Sequence, residues 1–198
     1  EQLSQKPRIK VFCTAPQSKD GGRGDYVRRV AEVVRWSERY GYEGILIYAD
    51  NGLVDPWITA GVVVQNSENL CPLVALQPIS MHPYTAAKIV ATYAFLHGRK
   101  LYLNLIAGGF RNDLLALGDE TPHDDRYKRL TEYALIIKRL LESPNPLTFQ
   151  GNYYQVTNLK MSPALPEELM PGILISGSSA AGLEAAREIG ATAIKYPH

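Results

Sequence analysis

The 198-residue sequence is poor in several things, and each shortage excludes a class of function. It has two cysteines, Cys13 and Cys71, so a disulfide-stapled framework is out, and both are expected to fill core space in a reducing cytosol. The four histidines, His82, His97, His123 and His198, stand at no metal-ligand spacing from one another or from the cysteines, and no zinc site is expected. A membrane span needs about 20 consecutive apolar residues, and no segment reaches that length. The stretch "EQLSQKPRIK" at 1–10 lacks the apolar run of a secretory leader, so a cytoplasmic protein is expected. Net charge is nearly absent, with 21 basic against 20 acidic residues, which gives neither nucleic acid nor an anionic membrane anything to attract. G-x-S-x-G, H-E-x-x-H and P-loop motifs are missing, and "GGRG" at 21–24 lacks dinucleotide spacing and reads as a flexible loop.

What is present is a repeated rhythm. Hydrophobic residues make up 45% of a chain long enough for one well-packed domain. Short apolar runs rich in β-branched residues occur at 8–16, 43–50, 71–79 and 100–109, then at 171–176 and 191–196. Helical patterns separate them: 25–41 with Val27, Val30 and Val34 as its stripe, about 55–68, 83 to 98, about 122–142, and the segment after Ser179. Strands apolar on both faces and alternating with helices predict a parallel sheet covered by helices, either doubly wound or a (β/α)8 barrel. The run "LTFQGNYYQVTNLKM" at 147–161 breaks the rhythm and reads as an inserted hairpin. A barrel takes eight strands and about 250 residues. Residues 1–198 are therefore expected to form a single domain carrying about six strands and lacking the last two β/α units.

Three groups of polar residues interrupt the apolar pattern. In "ILISGSSAAGLEAA" the turn Gly177-Ser178-Ser179 joins a buried strand to a helix, with Ser178 or Ser179 as the cap. Two readings fit: a plain cap, or an anion site in which backbone N–H groups, the helix dipole and two hydroxyls hold a phosphate that Gly177 lets approach. In "TPHDDRYKRL", Thr121 and Asp124 are expected to form a capping box around Pro122. That leaves His123 and Tyr127 on the apolar stripe of Leu130, Ala134, Ile137 and Leu141, at the end where barrels gather their active sites. Asn104 lies inside the strand "LYLNLIAGG" and Gln77 near the end of "LVALQPI". Buried amides need partners, which a neighbouring loop or a donor-and-acceptor ring system would supply.

Taken together, "EGILIYADNGLVDPW", "LVALQPISMHPYTAAKIVATYAFLHGRKLYLNLIAGG", "HDDRY" and "ILISGSSAAGLEAA" resemble the bacterial luciferase-like flavin monooxygenases, and within them the alkanesulfonate monooxygenase type. The resemblance rests on the order and spacing of the four segments and spans nearly the whole chain. It implies a (β/α)8 TIM barrel that takes reduced FMN from a separate NAD(P)H-dependent flavin reductase. Oxygen would react through a flavin C4a-peroxide with a small, apolar organic substrate, suggested by Leu53, Val54 and Trp57. It further implies that Ser178 and Ser179 hold the FMN phosphate beside Gly177, that His123 and Tyr127 line the phosphate or ring side, that Asn104 reaches the isoalloxazine, and that Gln77 has a lesser role there. A homo-oligomer is expected. Leu53 stands where the alkanesulfonate enzymes carry a cysteine, and their catalytic histidine and arginines belong to later barrel units, so no catalytic residue is assigned. Two alternatives keep the same barrel: hydride transfer with the deazaflavin F420, and flavin binding without turnover.

Overall fold

A computed structural model describes residues 9–194. In chain order the elements are β1 (Phe12–Thr14), α1 (Tyr26–Arg39), β2 (Gly44–Ile47), α2 (Pro56–Gln65), β3 (Cys71–Leu76), α3 (Pro83–His97), β4 (Tyr102–Ile106), α4 (Arg111–Ala116), α5 (His123–Glu142), β5 (Leu147–Gln150), β6 (Gln155–Leu159), β7 (Gly172–Ser176), α6 (Ala180–Ile189) and β8 (Thr192–Ile194). Six strands form one parallel sheet in the order β1-β2-β3-β4-β7-β8, and β5 pairs with β6 as a separate antiparallel hairpin. The predicted strands, helices and inserted hairpin thus all occur, with shorter bounds. Residue 8 of the first predicted strand, residues 195–196 of the last, and His198 lie outside the described residues.

Local chemistry explains the helix starts. Asp55 accepts from the N–H groups of Trp57 and Ile58 ahead of Pro56, and the His82 ring accepts from Tyr84 ahead of Pro83. Three expectations are corrected. Val27 is exposed, and α1 buries Val30, Ala31, Val34 and Ser37 instead, because the stripe begins one turn later. Thr121 does not cap α5, whose first turn follows Pro122 without a side-chain cap; Thr121 donates to Asp119, and Asp124 pairs with His123 rather than closing a capping box. Helix α4 is additional to the predicted set, since six residues are too few to show a period.

Each strand directs alternate residues to opposite faces. Ile45, Ile47, Val74, Leu76, Leu103, Leu105 and Ile175 share one core with Val30, Val63, Val90, Ile137 and Ile189 of the helices. Phe12, Tyr102, Asn104, Leu174 and Ser176 therefore project from the other face. That face is concave. The rings of Phe12 on β1 and Tyr102 on β4 meet edge to face with centroids 5.1 Å apart, although flat neighbouring strands three steps apart would stand about 14 Å from one another. The Tyr102 hydroxyl also donates to Glu43 at 2.5 Å and accepts from Lys10 at 2.8 Å. Gly172 gives this ring its room, because a side chain there would collide with it. The N-terminal end of the concave face is thus plugged, and its C-terminal end carries the polar groups.

Candidate functional site

The first cluster lies between α5 and the start of α6. Ser179 is the cap of α6: its Oγ accepts from the Gly182 N–H at 3.1 Å, which leaves its own O–H to donate. Ser178 is exposed. Gly177 has φ +156°, a conformation that favours glycine. The space a side chain would need at Gly177 is taken by the Tyr127 hydroxyl, so this glycine makes room for a tyrosine of the protein itself. Tyr127 is only 8% exposed, with its hydroxyl set against Gly177. His123 stands one turn earlier with its ring 5.2 Å from that of Tyr127, and its Nδ1 lies 2.7 Å from Asp124 Oδ1. The side chain of His123 is half exposed, so it sits at the mouth of the cluster and not in the core stripe.

Among the described residues Asn104 is the one polar residue buried within a strand of the sheet, at 2% exposure. Its Oδ1 accepts from Ser176 Oγ at 2.9 Å, across the pairing that sets Asn104 against Leu174 and Ile106 against Ser176. The Ser176 hydroxyl stands one residue from Gly177, which joins the amide to the first cluster. Gln77 follows β3, the strand next to β4, and its backbone C=O accepts from both the N–H and the hydroxyl of Ser80.

Gln77 also lines a cavity of about 290 Å³ with Leu53, Val54 and Trp57, closed by Leu76, Ile79, Met81 and Leu117. Three carboxylates, Asp50, Asp55 and Asp113, line it too, and no Lys, Arg or His does. Each carboxylate accepts a backbone N–H, from Gly52, Trp57 and Asn51 respectively. The Trp57 indole N–H is buried without a partner among the described residues. The structure thus gathers His123, Tyr127, Gly177, Ser178, Ser179 and Asn104 along the tops of β4 and β7, and sets Gln77 with Leu53, Val54 and Trp57 one strand away.

Sequence reasoning passed over two features. Arg129 forks onto Asp119, Nη2 to Oδ2 at 2.6 Å and Nη1 to Oδ1 at 3.3 Å, while Thr121 donates its hydroxyl to Oδ1 at 2.6 Å. The guanidinium, with Thr121, holds the Asp119 carboxyl down at about 2. This buried pair pins the turn that leads into His123. "GDETP" reads as an ordinary loop, and only the spacing of ten to Arg129 hints at more. Ser176 is the second; a small polar residue on the same strand parity as the concave-facing positions was its signal. The thiols of Cys13 and Cys71 are both half-buried and pushed up by burial, which keeps them protonated and unreactive. Among the described residues no three or more His, Cys, Asp or Glu gather as a metal site, and no helix is long and apolar enough to cross a membrane.

The polar strand tops of a curled parallel sheet direct the comparison with known proteins. Residues 8–195 match the family described as luciferase-like monooxygenase. The chain belongs to that family. It is 35% identical over 177 residues, 89% of its length, to the 4-(gamma-L-glutamylamino)butanoyl-[BtrI acyl-carrier protein] monooxygenase BtrO of Niallia circulans, and spans about half (52%) of that protein. Among solved structures it superimposes on the monooxygenase RslO1 from Streptomyces bottropensis with a TM-score of 0.79 at 15% identity, covering 93% of this chain and 59% of that one. The long-chain alkane monooxygenase LadA gives a TM-score of 0.78 at 15% identity, covering 92% and 55%. The luciferase-like fold of a partial TIM barrel is therefore established, with the six-stranded arc as the present part.

Proposed function

We propose that this protein is a flavin-dependent monooxygenase that takes reduced FMN from an NAD(P)H-dependent flavin reductase and inserts one oxygen atom of O2 into a small organic substrate. The observation that carries this is the placement of the Tyr127 hydroxyl against Gly177, beside the Gly177-Ser178-Ser179 turn at the start of a ten-residue helix. A phosphate there would accept from Tyr127, from both serines and from the helix N–H groups. Asn104 presents a buried amide further along the same strand tops and fits a ring with acceptors on its edge. The residues therefore fit FMN. When bound, reduced flavin supplies the electrons that activate O2. The chain's own residues bind the phosphate, orient the ring and, through the apolar walls, exclude water.

Leu53, Trp57, Leu76, Ile79 and Met81 suit an apolar portion of the substrate, in keeping with the name of the alkane-oxidising neighbour. Three aspartates and no cation line this cavity, which disfavours an anionic alkanesulfonate, and Leu53 stands where the sulfonate-type enzymes carry a cysteine. A homo-oligomer in the cytoplasm completes the proposal. Anaerobic titration with reduced FMN, followed by admission of oxygen and product analysis, tests it. Saturable binding with oxygen incorporated into an alkane-like probe supports the reading. Binding without oxygen consumption points to a flavin binder without turnover, and binding of reduced F420 in preference to reduced FMN points to hydride transfer.

A further inference from the structure

An amide at the bottom of a ligand site can read a ligand in two opposite ways, since turning it by half a revolution exchanges an acceptor for two donors. On the concave face the choice for Asn104 is made by a single neighbour. The Ser176 hydroxyl donates to Asn104 Oδ1 at 2.9 Å, the one side-chain hydrogen bond of Asn104 among the described residues. The strand register dictates this contact. Asn104 pairs with Leu174, Ser176 stands two residues further along β7, and both side chains rise from the same face of the sheet. Leu103 and Leu105 face the helices, and Ala75 is the register partner of Asn104 on β3. With its oxygen committed to β7, Asn104 keeps both N–H donors for the concave face.

We propose that Ser176 is a positioning residue, which locks the Asn104 amide so that it offers donors and selects a ligand edge made of acceptors. The inference rests on the flavin reading above, and there the acceptors are the carbonyl oxygens of the isoalloxazine, which match N–H donors. Ser176 itself touches no ligand in this scheme. Its alanine variant frees the amide to turn, whereas a threonine keeps the hydroxyl.

The test combines a ligand-free and a ligand-dependent readout on the whole protein. In ¹⁵N-labelled protein the Asn104 side-chain NH2 pair, assigned by its disappearance in Asn104→Asp, moves in Ser176→Ala and stays in place in Ser176→Thr, while backbone resonances away from β4 and β7 do not shift. Anaerobic titration with reduced FMN shows affinity lower by about 3- to 10-fold in Ser176→Ala, the loss expected for one misdirected hydrogen bond, and within about twofold of wild type in Ser176→Thr. In an Asn104→Ala background, Ser176→Ala has no further effect, because nothing remains to position. An equal loss in both backgrounds, or an NH2 pair unmoved by Ser176→Ala while wild type binds flavin, overturns the positioning role alone. A wild-type protein that binds no reduced flavin overturns the flavin reading and the proposal with it.

Discussion

The hydroxyl of Tyr127 fills the space that a side chain at Gly177 would occupy. Two elements far apart in sequence are fitted together there by a missing methyl group. Gly177→Ala should therefore strain both the backbone at φ +156° and the tyrosine, lowering stability by about 1–3 kcal/mol. Removing the hydroxyl with Tyr127→Phe should recover part of that loss. A denaturant double-mutant cycle measures the recovery, and strict additivity of the two changes would contradict the fit described.

The two serines of the turn have separable duties. Ser179 caps α6, so Ser179→Ala should lower stability by about 1 kcal/mol and weaken FMN binding as well. Ser178 is exposed and caps nothing, so Ser178→Ala should leave the melting temperature alone and weaken FMN only. Riboflavin, which has no phosphate, is the control. If Ser178→Ala weakens riboflavin and FMN equally, the serine is not a phosphate ligand.

Asp119 gives the fold an acid-sensitive clasp. Its carboxyl is held at about 2 by the Arg129 guanidinium, below its ordinary 3.8, and its side chain is 3% exposed. A depressed carboxylate contributes stability that is fully present above the unfolded-state value and is lost as pH falls toward the folded one. The contribution is about 2 kcal/mol, present at pH 6 and eroded between about pH 5 and pH 2. Asp119→Asn should be destabilised at pH 6 by at least that amount, since Arg129 loses its counter-charge. The gap between the variant and wild type, followed by urea melts, should narrow as pH drops through that window, and a constant gap would show that the charge is not what matters.

Tyr133 is fully buried on α5, and its hydroxyl has no partner among the described residues. Burial pushes the phenol up, so it is neutral at every ordinary pH. Tyr133→Phe removes an unsatisfied polar atom without changing the packing outline and should be neutral or stabilising by up to about 1 kcal/mol. Thermal unfolding decides it. A loss of more than about 1 kcal/mol would reveal a partner for the hydroxyl, such as a buried water.

The strands were legible because each is a short apolar run between helical periods, and the hairpin because Gln150-Gly151-Asn152 breaks an alternating stretch. The candidate residues were legible for the converse reason. Asn104 and the Gly-Ser-Ser turn are polar where the pattern demands apolar. What the sequence concealed is pairing at a distance. Nothing in "GDETP" announces that Asp119 will meet Arg129, and a capping box at Thr121 is the natural reading until that carboxylate claims the threonine hydroxyl. Gly177 looked like room for a ligand, because only the packing of α5 against α6 brings Tyr127 to it. Local rules account for the elements; the polar contacts between them need the register of β4 with β7 and the crossing of helices.

The Tyr102 ring above Gly172, tied to Lys10 and Glu43, gives the arc a floor. Nothing reaches Asn104 from beneath. Approach to the amide is left to the strand tops and to the open flank between β1 and β8, the two edges of the arc. The floor therefore sets the depth of the recess, and the strand tops, where the polar groups stand, set its chemistry.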